Sequence, residues 1–158
     1  MALEIERKFL ATPAVLAFCQ SGTLLTQGYL FTDAMTTVRI RRAGDRMLMA
    51  WKGPRHGFSR TETEFEVAWE AGEALLASVP PQARIEKTRY RIEYADAVWE
   101  VDVFGGWLAG LILAEIELER EDQFVVIPSW VSAEVTTDER YRNSRLAAAM
   151  VLQQELAG

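Results

Sequence analysis

The chain is short of the residues that most often build disulfides, zinc centres and acyl-transfer sites. It contains one cysteine, Cys19, and one histidine, His56, so an intrachain disulfide is impossible and a histidine-based zinc site is not expected. No glycine-rich phosphate loop and no Ser-His-Asp set is evident. No apolar run approaches the roughly 20 residues that cross a bilayer. These absences exclude several common classes of enzyme and membrane protein.

The start of the chain and its charge give further limits. Carboxylates at Glu4 and Glu6 occupy positions where a signal peptide would have a basic region followed by an apolar one. Together with the single cysteine, this predicts a cytoplasmic protein. The length fits a single domain spanning residues 1–158. The formal net charge of −6 argues against nucleic acid as a partner.

Most of the sequence alternates between apolar and polar residues with a period of two, which is typical of β-strands. We predict short helices at 12–20 and 70–78, and a final helix that begins at Asn143 or Ser144 and continues to Leu156. Sequential antiparallel strands with short connections predict a mainly β, α+β fold: a closed eight-stranded barrel with a few outer helices. The predicted strands are 2–10, 23–32, 36–43, 46–53, 59–69, 84–94, 97–104 and 112–121, with a short ninth segment at 131–136.

The charged residues of these strands are sorted by sign. Glu62, Glu64 and Glu66 share one face of the fifth strand, whereas Arg39 and Arg41 share one face of the third. For any single strand, one solvated face is the simpler interpretation. An exposed face normally mixes both signs, however, and a row of like charges destabilises a sheet unless counter-charges neutralise it. For the whole set we therefore predict charged side chains inside the barrel and apolar ones outside, beneath helices or a second subunit.

Such an interior would combine a basic wall with an acidic wall. Arginine and lysine side chains suit the oxygens of a compact phosphate ligand, and carboxylates are the ligands that Mg²⁺ or Mn²⁺ prefers. These are the components of phosphoryl transfer, in which catalysis depends mainly on positioning and charge neutralisation. The candidate basic wall consists of Lys8, Arg39, Arg41, Lys52, Lys87 and Arg89.

An ordered series of motifs carries a family resemblance along nearly the whole chain. The segment Glu4-Ile5-Glu6-Arg7-Lys8 has the ExExK pattern, and it is followed by further charged motifs on the predicted strands. In this order the motifs resemble the CYTH superfamily, the triphosphate tunnel metalloenzymes. The other motifs are Val38-Arg39-Ile40-Arg41, Trp51-Lys52-Gly53, Ser59-Arg60-x-Glu62-x-Glu64, Glu86-Lys87-Thr88-Arg89-Tyr90, Trp99-Glu100-Val101-Asp102-Val103-Phe104 and Ala114-Glu115-Ile116-Glu117-Leu118.

The resemblance implies roles for individual residues. The six cations of the basic wall would bind phosphates, and Lys87 with Tyr29 would take part in catalysis, although an ordinary structural role for Tyr29 is an equal alternative. The resemblance also implies two divalent ions, Mg²⁺ or Mn²⁺, the tighter one on Glu115 and Glu117. The full implied metal-binding side is Glu4, Glu6, Glu62, Glu64, Asp102, Glu115 and Glu117.

The implied activity is metal-dependent hydrolysis of inorganic triphosphate to diphosphate and phosphate. Three alternatives stay open at this point: an adenylyl cyclase, an organic triphosphatase acting on thiamine or nucleoside triphosphate, and a non-catalytic module that binds polyphosphate or a nucleotide. We expect no membrane partner, and a homodimer is possible because the outward apolar faces exceed what three short helices can cover. We also expect residues 140–146 to plug or gate one end of the tunnel, or else simply to pack against it.

Overall fold

The computed structural model describes residues 2–158 and contains one nine-stranded antiparallel sheet. Two α-helices, α1 (Trp69–Ala77) and α2 (Asn143–Ala157), and four short 3₁₀ helices accompany the sheet. The strands are β1 (Ala2–Ala11), β2 (Thr23–Thr32), β3 (Thr37–Ala43), β4 (Arg46–His56), β5 (Ser59–Val67), β6 (Ile85–Tyr94), β7 (Ala97–Phe104), β8 (Ile112–Glu117) and β9 (Val131–Glu134). The 3₁₀ helices are Pro13–Phe18, Pro81–Ala83, Gly106–Leu108 and Glu139–Tyr141.

Eight of the strands close into a barrel. They neighbour one another in the order β5-β4-β3-β2-β6-β7-β8-β1, and β1 pairs again with β5 from Ala2 to Ile5. The ninth strand, β9, pairs only with β1 near Phe9 and Ala11. The predicted closed eight-stranded barrel is therefore confirmed. Several strand boundaries differ from the prediction by one to four residues. The largest differences are that β4 continues to His56 and that β8 already ends at Glu117.

Helices cover part of the apolar surface that faces outward, whereas other outward side chains, such as Leu3 and Leu24, stay exposed. Trp99 of β7 is fully buried, with its ring centroid 5.4 Å from that of Phe9 and 5.6 Å from that of Trp130. Val15 of the first 3₁₀ helix belongs to the same cluster. On another part of the barrel, Leu76 of α1 packs in a cluster with Ile40 and Met47. These clusters place the main apolar packing between the barrel wall and its cover.

One end of the barrel interior is apolar, which corrects the expectation of a uniformly charged lumen. Phe104 pairs with Lys87, and Leu113 pairs with Asp102, so both apolar side chains share a sheet face with charged ones. Helix α2 packs against this end through Leu146, Ala147 and Met150, in a cluster that also contains Ile85 and Val135. The charged lining therefore occupies the rest of the lumen, and the apolar end packs against α2. No helix among residues 2–158 has both the length and the apolar character needed to span a membrane.

Candidate active site

A cavity of about 280 Å³ occupies the barrel interior, and charged side chains form most of its lining. Nine lysine and arginine residues face seven glutamates there, in a chain whose net charge is −6. The cavity is therefore locally positive and suits a polyanion. All six predicted cations line it, as do Tyr29 and every predicted metal-binding carboxylate except Asp102. The lining residues that the sequence-based prediction did not assign are Thr37, Arg55, Arg60, Glu100, Arg142, Asn143 and Ser144.

The strand register sets acids beside bases across this cavity. Lys8 of β1 is opposite Glu115 of β8, and their charged groups lie 3.5 Å apart. Lys52 of β4 is opposite Glu62 of β5, and its Nζ lies 3.7 Å from Glu62 and 3.3 Å from Glu4. Such alternation across strands stabilises the sheet where a row of one sign would not. The two predicted walls are therefore interleaved, each cation lying next to a carboxylate.

Asp102 lies beneath the cavity surface with only 2% of its area exposed. Its Oδ1 accepts a hydrogen bond from Arg89 Nε at 2.7 Å, and its Oδ2 accepts one from Arg89 Nη2 at 2.8 Å and lies 2.6 Å from Lys87 Nζ. Burial raises the pKa of this carboxyl, but Lys87 and Arg89 outweigh it and lower the pKa to about 2. In this structure Asp102 holds two of the cations that are predicted to bind phosphate. Its own role as a metal ligand stays a prediction.

The carboxylates of β1 have fewer counter-charges. Burial, followed by repulsion from Glu115 and Glu4, raises the pKa of Glu6 to about 8. Burial and a hydrogen bond with Glu62 likewise raise the pKa of Glu4. For Glu115, by contrast, the nearby lysines and Arg89 overcome the effect of burial and lower the pKa well below its usual value. The nearby cations, such as Lys52 and Lys8, therefore compensate the charges of Glu4 and Glu6 only in part.

The incomplete compensation of Glu4 and Glu6 fits a divalent cation. The donors are carboxylate oxygens, which Mg²⁺ and Mn²⁺ prefer. In the described part of the chain, no three carboxylate, histidine or cysteine side chains are grouped closely enough to hold a metal ion by themselves. Mg²⁺ is commonly held by one or two carboxylates together with substrate phosphates, so the donor set fits an ion that binds with its substrate.

Lys87 and Tyr29 both line the cavity, and two amide side chains link them. Lys87 Nζ donates to Asn143 Oδ1 at 2.9 Å, and Gln27 Nε2 donates to the same oxygen at 3.3 Å and to Tyr29 Oη at 3.1 Å. Gln27 is fully buried, and its Oε1 accepts from Arg41 Nε at 2.8 Å. The sequence-based prediction assigned no site role to Gln27 and placed Asn143 at the start of the final helix. The structure instead directs the Asn143 side chain into the site.

Residues 139–143 lie against the site as they lead into α2. Lys8 Nζ donates to the carbonyl oxygen of Tyr141 at 3.1 Å, in addition to the contact of Lys87 with Asn143. Arg142 and Ser144 line the cavity. The segment therefore contributes directly to the cavity lining. That it gates one end of the tunnel stays a prediction.

A second group of cations, all missed by the prediction, consists of Arg55, Arg60 and Arg142. Arg60 of β5 is opposite Glu4 of β1 on one side and opposite Arg55 of β4 on the other. Glu4, Arg60 and Arg55 therefore form a row across three strands. Alternation alone would turn Arg55 away from Lys52, but an irregularity in strand pairing between these two residues restores it to the cavity. Burial and the nearby Arg55 and Arg142 lower the pKa of Arg60 to about 10.

Comparison with known proteins gives three consistent findings. The model of the CYTH domain family matches residues 2–147. Inorganic triphosphatases of Acetivibrio thermocellus and Nitrosomonas europaea are each 38% identical to the chain; the first alignment covers 92% of this chain and 94% of the relative, and the second covers 93% and 98%. A solved structure of an inorganic triphosphatase superimposes with a TM-score of 0.65 at 36% identity and covers 93% of this chain and 95% of the other.

Proposed function

The chain belongs to the CYTH domain family, and we propose that it hydrolyses inorganic triphosphate to diphosphate and phosphate inside the barrel cavity. The single observation that carries this proposal is the cavity itself, in which nine cations and seven carboxylates converge in a protein of net negative charge. Support also comes from two relatives named as inorganic triphosphatases, each aligned over more than nine-tenths of this chain.

The cations would bind and orient the substrate. Arg41 has no carboxylate within 4.0 Å among the described residues, and Arg39 uses one Nη to pair with Glu64 at 2.8 Å. Both guanidinium groups therefore retain N–H donors for phosphate oxygens. Lys87 and Arg89, held by Asp102, would complete this side. A linear triphosphate held by several such groups is positioned for attack by water, and positioning is the main contribution to phosphoryl transfer.

The proposed reaction uses Mg²⁺ or Mn²⁺, and carboxylates of the cavity would hold two such ions. Glu115 and Glu117 would hold one ion, and the second would lie nearer Glu4 and Glu6, with Glu62 and Glu64 on the same side. When bound, such ions would neutralise phosphate charge and lower the pKa of a coordinated water. The need for a cation is supported by the raised pKa of Glu6, whose charged form is disfavoured in its absence.

Lys87 is the proposed proton-transfer group. Its burial lowers the pKa to about 7, even though the neighbouring Asp102 carboxylate favours the charged form. A general base works best when its pKa lies near the working pH. Lys87 would accept a proton from the attacking water, whose oxygen bonds to phosphorus as the phosphoanhydride bond to diphosphate breaks. Burial raises the pKa of Tyr29, so its hydroxyl stays protonated and can donate to a phosphate oxygen.

The proposal is tested by measuring phosphate release from purified protein. Inorganic triphosphate with Mg²⁺ or Mn²⁺ should give diphosphate and phosphate in equal amounts, and EDTA should stop the reaction. ATP and thiamine triphosphate serve as competing substrates, with cyclic AMP formation followed in parallel. Faster turnover of an organic triphosphate, or production of cyclic AMP, would contradict the proposed substrate. Binding without turnover would favour a non-catalytic module.

The cytoplasmic location and the homodimer stay proposals. The single cysteine supports a reducing compartment. Several large apolar side chains remain exposed on the monomer, including Phe124 at 86% and Leu156 at 79%. The molar mass in solution, measured by light scattering, would distinguish a 17.8 kDa monomer from a dimer of twice that mass.

A further inference from the structure

The arginine cluster of Arg55, Arg60 and Arg142 has different charged neighbours from Arg41, Lys87 and Arg89. Arg41, Lys87 and Arg89 are neighbours of one another and of Asp102. The charges nearest to Arg60 are instead Arg55, Glu4, Arg142 and Glu6. The cavity therefore has two cationic regions, and the second lies where the β4–β5 hairpin meets the segment that leads into α2. A small adjoining cleft is lined by Glu6, Lys8, Arg55, Val135, Thr136, Asp138 and Arg142.

The N–H groups of this cluster are only partly satisfied. The Nε atoms of Arg55 and Arg142 are buried, and neither has a hydrogen-bond partner in the described part of the chain. Arg60 donates through Nε and Nη2, but only to the carbonyl oxygen of Gly53, at 3.0 and 2.8 Å. A buried donor without an acceptor is costly, and a bound ion is one of its common explanations.

Close ion pairs are also scarce in the cluster, although carboxylates lie farther away. Among residues 2–158, no carboxylate lies within 4.0 Å of Arg55 or Arg60, whereas Arg142 reaches Glu139 through Nη1 at 3.3 Å. The Glu139 side chain is 59% exposed, so this pair contributes little. Three guanidinium groups that converge with one exposed partner repel one another unless an anion lies between them.

We propose that Arg55, Arg60 and Arg142 form a second oxyanion subsite, separate from Lys87 and Arg89, that binds inorganic phosphate. The assignment of this anion as the phosphate released from triphosphate rests on the proposed function; the binding itself does not. A compact tetrahedral dianion matches the paired donors of several guanidinium groups. Glu4, Glu6 and Asp138 surround the cluster, so a larger polyanion would approach carboxylates that phosphate can avoid.

The position of the subsite gives it a role in the reaction. It adjoins Glu4 and Glu6, the carboxylates proposed to lie near the second metal ion, and it shares the cavity with the triphosphate-binding cations. Phosphate cleaved from the end of the substrate could therefore pass to the arginine cluster while diphosphate remains near Lys87. The two products would then occupy different cationic regions before release.

The test is a calorimetric titration of sodium phosphate into the full-length protein in EDTA, so that neither metal nor turnover is involved. Arg142→Gln and Arg55→Gln should each weaken phosphate binding by about tenfold or more, because each removes charge-assisted hydrogen bonds. Arg145→Gln is the matched control, since it removes the same charge from the same segment at a side chain that is 64% exposed and outside the cavity. Its phosphate affinity should equal that of the wild type.

Two further variants keep the outcome decisive. Arg41→Gln removes a cation from the other region and should weaken diphosphate binding more than phosphate binding. Arg142→Lys keeps the charge and should retain part of the phosphate affinity, which separates a binding role from misfolding. The proposal is overturned if Arg41→Gln abolishes phosphate binding while Arg142→Gln leaves it unchanged, or if Arg145→Gln has the same effect as Arg142→Gln. Failure of the proposed function would appear differently, as absent triphosphate turnover with phosphate binding intact.

Discussion

Replacing Glu6 by glutamine should stabilise the metal-free protein while removing its activity. Glu6 is the carboxyl with the most unfavourable surroundings in the cavity, because burial and the neighbouring Glu115 and Glu4 raise its pKa from 4.5 to about 8. Glutamine has nearly the same shape and can still form hydrogen bonds, but it carries no charge. The variant therefore relieves the repulsion without leaving a cavity in the packing.

The magnitude follows from linkage between protonation and folding. Between pH 4.5 and about 8, folded Glu6 binds a proton that the unfolded chain has released, so the wild type loses stability as the pH rises through this window. At pH 7, which lies about 2.5 units above the ordinary pKa of 4.5, this protonation costs the wild type about 3 kcal/mol of unfolding free energy. The value is an upper limit because the surroundings can relax. At pH 4.5 and below, the charge of Glu6 should make no difference to the unfolding free energy, because the folded and the unfolded chain both bind the proton.

Denaturant unfolding in EDTA at pH 4.5, 7 and 8 measures this difference directly. The gain in unfolding free energy of Glu6→Gln over the wild type should grow with pH. Glu93→Gln, at an exposed position of β6, is the control and should show no pH-dependent gain. If Glu6→Gln is destabilised equally at all three pH values, the account of uncompensated charge around Glu6 is wrong.

Three other perturbations test separate parts of the structure. Asp102→Asn should cost about 3 kcal/mol of unfolding free energy, because it leaves Lys87 and Arg89 without a buried counter-charge, and it should also raise the KM for triphosphate. Asn143→Ala removes the acceptor of Lys87 Nζ, so kcat should fall while the far-ultraviolet circular dichroism spectrum stays unchanged. An unchanged kcat would show that the contact is only structural. Trp99→Ala should cost about 3–5 kcal/mol in denaturant unfolding, because the indole is fully buried between β7 and its cover.

Much of the barrel could be predicted from the sequence because its strands follow a strict period of two. The bounds of β2 and β7 match the prediction. The predicted site residues of β1, β3 and β6 line the cavity, as alternation requires: Glu4, Glu6, Lys8, Arg39, Arg41, Lys87 and Arg89. The apolar end of the lumen was missed for a physical reason. Phe104 and Leu113 have the same parity as the charged residues of their strands, but the sequence does not show that α2 covers that end.

The arginine cluster shows where alternation fails. Arg60 has the parity of Glu62, so its position in the cavity could have been predicted from the strand pattern. Arg55 lies three residues after Lys52, and only an irregularity in strand pairing brings both into the cavity. Arg142 reaches the cavity from the segment before α2, and no local pattern indicates that contact.

The relative charge balance of the carboxylates also depends on the fold. The sequence shows rows of glutamates, but it does not show which of them has a cation nearby. Glu115 lies opposite Lys8 and near Arg89, which keeps it ionised, whereas Glu6 lies opposite Glu117. This difference arises from the register of β1 against β8 and becomes visible only when the strands are paired.

The central claim is that carboxylates facing the lumen, and not acidic residues in general, support hydrolysis of triphosphate. Glu117 is the last residue of β8, and Glu119 lies two residues after it. Both residues are exposed, but of the two only Glu117 lines the cavity. The most direct measurement is therefore the rate of phosphate release from inorganic triphosphate with Mn²⁺ for Glu117→Gln and Glu119→Gln. We expect the rate of phosphate release to fall by about a hundredfold or more in Glu117→Gln and to equal the wild-type rate in Glu119→Gln. Equal rates for the two variants would contradict the central claim.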